Sequence, residues 1–517
     1  MCILPNQLSF EVLHMDLLVI VLLIASTLAF LYFCLNHIKK KDDLPSPPGP
    51  PGLPLIGNMH QLYKASSHHE DFYQLSRKYG SLVTLHLGSV PALVVSSSKM
   101  AKEVLKTKDV IYSSRPAMTG QQKMSYNGLE MAFSPYSEQW RDVRKFCTLE
   151  LFTQKRAQMS VRPVREQEVY RMIDGLEEAA SASKEVDVHR CFSDFGSSVI
   201  TRVAFGKRYD EGGKFHRLLS DVEALYANFF VSDYFPMFGW IDKLTGMMAR
   251  LDRTFLELDM FYQELIDEHL KPDRPASTTE DVIDVLLKNK SSASFALTMN
   301  HVKAILMDII VAGTGTTATV LTWAMTALMR NPRAMKKVQE ELRTVMGQKG
   351  KMDEDDLQNL PYLRAVVKET MRLYPPGPLL LPRETMESSV IGEDDDHMYK
   401  IKPKTLVFVS MWAIGRDPEN WKEPLEFIPE RFLERPDIDY RGQHFEFIPF
   451  GAGRRQCPGL NLGARNVELA LANALYTFDW ELPDGMRSQD VDVETVNGLT
   501  LQRKNVLYIR PKIYVCP

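Results

Sequence analysis

The chain has 517 residues, 44% of them hydrophobic and 25% charged, with a formal net charge of -4. These values exclude a disordered, collagenous or polytopic membrane protein, and no surplus of positive charge is present to grip phosphates, so no nucleic acid is expected as a partner. The six cysteines, Cys2, Cys34, Cys147, Cys191, Cys457 and Cys516, contain no CxxC pair and no zinc-like spacing, which argues against both a disulfide scaffold and a structural zinc.

Apolar residues are not evenly spread. Residues 17–35, LLVIVLLIASTLAFLYFCL, carry no charge, and a helix of that length spans about 28 Å, enough to cross the core of a bilayer. No Lys or Arg precedes the run and no small-x-small cleavage site closes it, so it reads as a retained anchor rather than a removed signal. Glu11 and Asp16 lie ahead of it and Lys39, Lys40 and Lys41 behind, which by the positive-inside rule puts the rest of the chain in the cytosol, where thiols stay reduced. Residues 44–58, LPSPPGPPGLPLIGN, are too rich in proline for helix and read as a stiff spacer. No internal repeat and no second proline-rich linker follows. The expected organisation is a membrane anchor with a basic flank (1–43), a proline-rich hinge (44–58) and one large catalytic domain (59–517).

Within the body, residues 81–97 alternate as a two-stranded hairpin does. A long helix is predicted from the N-cap Thr298 to Arg330, where Asn331 and Pro332 end it and open the next. It is apolar nearly all round, hence buried through the middle of the domain. Its centre, Ala312-Gly313-Thr314-Gly315-Thr316-Thr317, is made of poor helix formers. That predicts a local distortion beside a ligand; the alternative is that small residues let another helix pack closely. A further helix from about Pro361 to Tyr374, stopped by Pro375 and Pro376, puts Glu369 and Arg372 at i and i+3. Glu138/Arg141 and Glu168/Arg171 share that spacing, and most such pairs are weak surface ion pairs.

The strongest signal is F-x-x-G-x-R-x-C-x-G, fixed here at Phe450, Gly453, Arg455, Cys457 and Gly459, a pattern expected by chance in roughly one chain per twenty thousand of this composition. Pro458 suits the first turn of the helix-periodic LNLGARNVELALANALYTF, so Cys457 is expected at a helix N-terminus, with Arg454 and Arg455 near it to lower the thiol pKa. A thiolate there serves as a nucleophile, as part of a metal site, or as the axial sulfur of a haem. A nucleophile needs a histidine base and a zinc site needs more Cys or His, yet His444 is the only histidine close by in sequence. Haem ligation fits best, since sulfur donation favours O–O cleavage.

With these residues in view, the chain resembles the cytochrome P-450 family of haem-thiolate monooxygenases, in its microsomal plant branch. PPGPPGLP (47–54) is similar to the family's hinge, Trp140 and Arg144 match a W-x-x-x-R motif, Glu369 and Arg372 its E-x-x-R, and Pro429-Glu430-Arg431-Phe432 its PERF element. The resemblance implies a mainly α fold with a small β region, preceded by one N-terminal transmembrane helix. It further implies Cys457 as axial ligand of haem iron; Trp140, Arg144, Arg383, Phe450, Arg455 and Gly459 about the haem; and Glu369, Arg372 and Arg431 as a structural triad. Gly313, Gly315 and Thr316 fall on the A/G-G-x-D/E-T pattern of the distal helix, where a distortion admits O2. Gly315 stands where that pattern has an acid, so proton delivery is in question.

A lipophilic pocket is expected from Met118, Met124, Met307, Ile310, Val311, Thr314, Leu379, Leu380 and Leu499. The implied activity is hydroxylation of a small lipophilic metabolite, a terpenoid first and an alkaloid or phenylpropanoid as alternatives, with O2 and electrons from NADPH through a flavoprotein reductase at the endoplasmic reticulum membrane. The alternatives are a haem-thiolate enzyme that rearranges, isomerises or dehydrates without oxygenation, motivated by Gly315, and a haem-bearing sensor. On sequence grounds Gly315→Asp is expected to raise the share of electrons that reach product.

Overall fold

The computed structural model describes residues 26–27, 44–62, 67–209, 213–274, 280–290, 295–347, 349–394 and 397–515. The chain divides into two units, Met1–Pro45 and Ser46–Pro517. Apart from Ser26 and Thr27, which are helical, the expected membrane helix at 17–35 lies outside the described residues.

Among the described residues the second unit is mainly α, with ten helices of twelve residues or more. They are α1 (His68–Tyr79), α2 (Glu138–Glu150), α3 (Arg162–Ser181), α4 (Val188–Phe205), α5 (Lys214–Ala227), α6 (Met247–His269), α7 (Met299–Arg330), α8 (Pro332–Met346), α9 (Pro361–Leu373) and α10 (Leu460–Thr477). The predicted hairpin forms as β1 (Leu82–Leu87) and β2 (Val90–Val95), antiparallel in the register Leu82↔Val95 to Leu87↔Val90. A parallel strand, β4 (Leu406–Val409), pairs with β2, and β3 (Arg383–Glu384) completes a four-stranded sheet in the order β1-β2-β4-β3. Arg383 is thereby held on a strand.

The proline-rich segment is laid on the sheet from Ser46 onward. Thr84 N–H donates to Pro48 O at 2.9 Å, and a Cβ placed on Gly49 would lie 2.0 Å from Thr84 O. Asn58 and Gln61 side chains donate to Pro50 O and Pro51 O at 3.1 and 3.0 Å. With no N–H of its own, each proline leaves its carbonyl as the group to be satisfied, and the sheet edge and these amides satisfy it.

Helix α7 starts where the sequence predicts: Thr298 accepts from His301 N–H and His301 Nδ1 from Thr298 N–H, a capping box. Among the described residues it is the one helix long and apolar enough to cross a membrane, but it is the core helix, mostly buried. Its N-terminal half, through Val311, packs into one apolar cluster with α5 and α6, and its C-terminal half, from Ala318, packs into another with α3, α8, α9 and α10. Residues 312–317 lie at the seam between the two.

The expected distortion at that seam is absent: α7 runs from Met299 to Arg330 as uninterrupted α-helix. The close-packing alternative holds instead. A Cβ on Gly313 would meet the Ile200 side chain of α4 at 2.5 Å, and one on Gly196 of α4 would sit 3.1 Å from Thr314 O. The threonine hydroxyls also brace the helix, each donating four residues back: Thr314 to Ile310 O (2.9 Å), Thr316 to Ala312 O (2.7 Å), Thr317 to Gly313 O (3.4 Å) and Thr319 to Gly315 O (2.8 Å).

Candidate active site

The Cys457 loop is a tight backbone construction. Gly451 and Gly453 have φ of 68° and 70°, the left-handed region that favours glycine, and a Cβ on Gly453 would lie 2.0 Å from Leu105 O. A single 3-10 turn, Gly453–Arg455, leads to Cys457, whose N–H donates to Phe450 O at 2.9 Å. Phe450 is locked by Tyr440, ring centroids 5.4 Å apart, and faces Gly463 of α10. Helix α10 begins at Leu460, so Cys457 sits just ahead of it as predicted.

The prediction of a lowered thiol pKa is corrected by the structure. Burial pushes the Cys457 thiol up, against the Gly459 N–H and the Arg144 guanidinium, which pull it down. Arg454 does not help, because it turns to Asp109 at 2.9 Å. Arg455 is committed elsewhere.

Arg455 donates to Ser113 O (2.8 Å), Met131 O (3.0 Å) and Ser134 O (2.6 Å), with its guanidinium 3.9 Å over the Trp140 ring. Trp140 Nε1–H donates to the same Met131 carbonyl at 3.0 Å, Arg144 of α2 donates to Gln456 O, and Arg383 donates to Tyr112 O at 3.2 Å. A further arginine, Arg115, joins them through Ala132 O (2.8 Å), Leu381 O (2.7 Å) and Pro382 O (2.8 Å). Burial first, then neighbouring guanidinium charge, holds Arg115 well below its ordinary pKa and Arg455 at about 9; burial alone lowers Arg383 to about 10. Among the described residues, acids acting on this cluster include Glu130, Asp308 of α7, and Asp109, which is paired with Arg454. Glu130 is spent on Phe133 and Ala132 N–H, and Asp308 accepts from Met131 N–H at 2.6 Å while burial and Glu130 hold it well above the usual carboxylate range. Arg115, Glu130 and Asp308 were not found from sequence, since no local pattern marks them.

Beneath the loop, Glu369 and Arg372 are fully buried and paired at 2.7 Å, and Arg431 meets Glu369 at 3.0 Å. Arg372 also donates to Pro424 O and Glu426 O, and Ile428 N–H to Glu369 Oε1 at 2.8 Å, so the triad pins the chain that leads to the Cys457 loop. Of the look-alike pairs, Glu138–Arg141 is an exposed contact at 3.8 Å, whereas Glu168 is buried and holds Arg202 and Arg208.

Above the loop the predicted pocket residues divide. Met124, Met307, Ile310, Val311 and Leu499 belong to the α5–α6–α7 cluster, Met118 and Leu379 to the cluster under β1, and Leu380 to that beside β2. Met307 is sealed against Tyr262, and Thr314 against α4. Leu380 has φ of 51° and reaches toward Gly451 of the cysteine loop. Ala312 is exposed in the middle of an otherwise buried helix, and Thr316 one turn on is half-buried. Cys457 likewise has accessible surface deep inside the chain. These residues border internal space. An accessible buried thiol, glycines at its approach and a buried arginine cluster short of anions form the donor set for a flat dicarboxylate macrocycle bearing a thiolate-seeking metal, which is haem.

The cytochrome P450 profile matches residues 47–510. The 6,7,8-trihydroxycoumarin synthase of Pastinaca sativa is 68% identical over 500 residues, covering 96% of this chain and 99% of that one. The 5-OH-xanthotoxin synthase of the same plant is 68% identical over 507 residues, covering 97% and 100%. Among solved structures, a zebra fish cytochrome P450 with abiraterone superimposes with a TM-score of 0.71 at 25% identity, covering 87% of this chain and all of that one. The chain belongs to the cytochrome P450 family, in its plant microsomal branch. It is a haem-thiolate monooxygenase supplied with electrons from NADPH through a reductase.

Proposed function

We propose that this enzyme hydroxylates the aromatic nucleus of a coumarin or furanocoumarin. The carrying observation is 68% identity, over nearly the whole chain, to two enzymes named for hydroxylated products of that kind. A terpenoid, the first expectation, has no support from these relatives; the phenylpropanoid alternative does, because coumarins are phenylpropanoid-derived. The relatives likewise lend nothing to a non-oxygenating reaction.

In this reading the Cys457 sulfur would hold the haem iron, and Phe450 and Gly459 shape the approach to it. Arg115, Arg144, Arg383, Arg455 and Trp140 would hold the carboxylates of the haem, and Glu369, Arg372 and Arg431 hold the loop in register. When bound, haem supplies activation of O2 for insertion of an oxygen atom into an unactivated C–H bond. The chain's own part is to bind and orient the flat substrate against α7 with Ile310, Val311, Ala312, Leu379, Leu380 and Leu499, to exclude water, and to hold a proton near Thr316. Residues 17–35 anchor it to the endoplasmic reticulum membrane with the catalytic unit in the cytosol.

The test is incubation of the enzyme, with reductase and NADPH, against coumarins, furanocoumarins, terpenoids and alkaloids. A hydroxylated coumarin or furanocoumarin is the expected product, and turnover confined to the other classes overturns the reading. The reduced, carbon monoxide-bound spectrum is expected to show the red-shifted Soret band of thiolate ligation, lost in Cys457→Ala.

A further inference from the structure

Four neighbouring positions of α7 face three different surroundings. Gly313 is turned to Ile200 of α4, Ala312 and Thr316 face the internal space, and Gly315 faces α5, where a Cβ on it would lie 3.3 Å from Glu223 Oε1. A carboxyl group therefore stands beside Gly315 after all, borne by another helix. The threonines around it cannot take its place. Thr314, Thr316, Thr317 and Thr319 each commit the hydroxyl hydrogen to a carbonyl of α7, which leaves lone pairs that only accept. Asp308, one turn before Ala312, is tied into the 130–133 loop.

We infer that Glu223 supplies from α5 the carboxyl that Gly315 lacks, and passes a proton into the space beside Thr316 during turnover. The inference rests on the monooxygenase reading and deepens it. Insertion of one atom of O2 reduces the other to water, with electrons from the reductase and protons from the protein. The proton on a Glu223 carboxyl oxygen leaves toward an acceptor water held by the Thr316 lone pairs, and the carboxylate is reprotonated from solvent along α5.

The surroundings suit this role. Burial alone pushes the Glu223 carboxyl up to about 7, so that both protonation states are populated at neutral pH, as a proton carrier needs. Helix α5 packs against α6 and the short helix Thr119–Met124. Of their charges, Lys123 is paired with Asp252 at 2.8 Å and Arg250 with Asp221 at 3.0 Å, and His216, two turns before Glu223, meets Ser197 of α4 at 3.2 Å.

The placement also revises what Gly315→Asp does. In the native chain the new side chain crowds an existing carboxyl; the gain is expected only where Glu223 has been removed. The experiment compares the wild-type holoenzyme, Glu223→Gln, Glu223→Ala and the pair Glu223→Ala/Gly315→Asp. Three quantities are read: the ratio of hydroxylated product to hydrogen peroxide, KM, and an infrared titration of protonated carboxyl groups. The ratio is expected to fall roughly tenfold in Glu223→Gln and Glu223→Ala, less than the about hundredfold or more of a sole general acid, because water also enters. It should recover in the pair. The infrared band titrating near pH 7 should vanish in Glu223→Gln. An unchanged ratio, a raised KM with unchanged ratio, no recovery in the pair, or no carboxyl titrating near neutrality overturns the inference. The carbon monoxide spectrum, expected to stay intact in every variant, separates that outcome from failure of the haem-thiolate reading.

Discussion

Glu369 is fully buried with one acceptor oxygen on Arg431, both oxygens on Arg372 and a backbone N–H as well. Replacing it by glutamine leaves two guanidinium groups facing a neutral amide, and breaking a buried pair in this way costs about 3–5 kcal/mol. Glu369→Gln is therefore expected to lower the thermal unfolding midpoint and the haem content together; a holoenzyme with an unshifted midpoint would refute the role assigned to the triad. At this scale the sequence was legible where spacing is local: Glu369 and Arg372 are one turn apart, and Arg455 is two residues from Cys457. It was not legible for Arg115, Glu130, Asp308 and Glu223, whose partners lie on other elements. Nor was the thiol's pKa, because the dipole argument for a helix end omits the burial that outweighs it.

The midpoint of α7 shows how one composition supports two element-level outcomes. Glycines and threonines weaken a helix in isolation, but here Gly313 and Gly196 let α4 and α7 touch, and the threonine hydroxyls bond back along the helix. Intrinsic propensity gave way to packing, which a reading of one segment cannot weigh. Gly313→Ala gains up to about 1 kcal/mol of helix preference and, against Ile200, meets an overpacking cost of roughly 1–3 kcal/mol. A net loss of stability is expected, and it should shrink when combined with Ile200→Ala, so that the pair costs less than the sum of the singles in a thermal-denaturation cycle. Strict additivity would show that the contact does not govern the site. The ends of α7, by contrast, were read correctly because Thr298, Asn331 and Pro332 act through neighbours in sequence.

For the whole molecule, residues 46–517 form one unit, and removal of residues 1–43 is expected to leave the reduced carbon monoxide spectrum unchanged while releasing the protein from membranes; loss of the spectrum would show that the leading segment is needed for folding. The pairings between distant segments of this unit were not legible in the sequence. Arg455 reaches Ser134 across 321 residues of chain, and β2 finds β4 across a similar interval. A ribosome adding about 5–20 residues per second takes on the order of tens of seconds to travel that distance. Until Arg455 emerges, the 113–134 region waits without the side chain that gathers its carbonyls, and Cys457, the proposed iron ligand, arrives only two residues later. In the proposed reading, capture of the cofactor therefore waits until segments more than 300 residues apart in the chain have both been made.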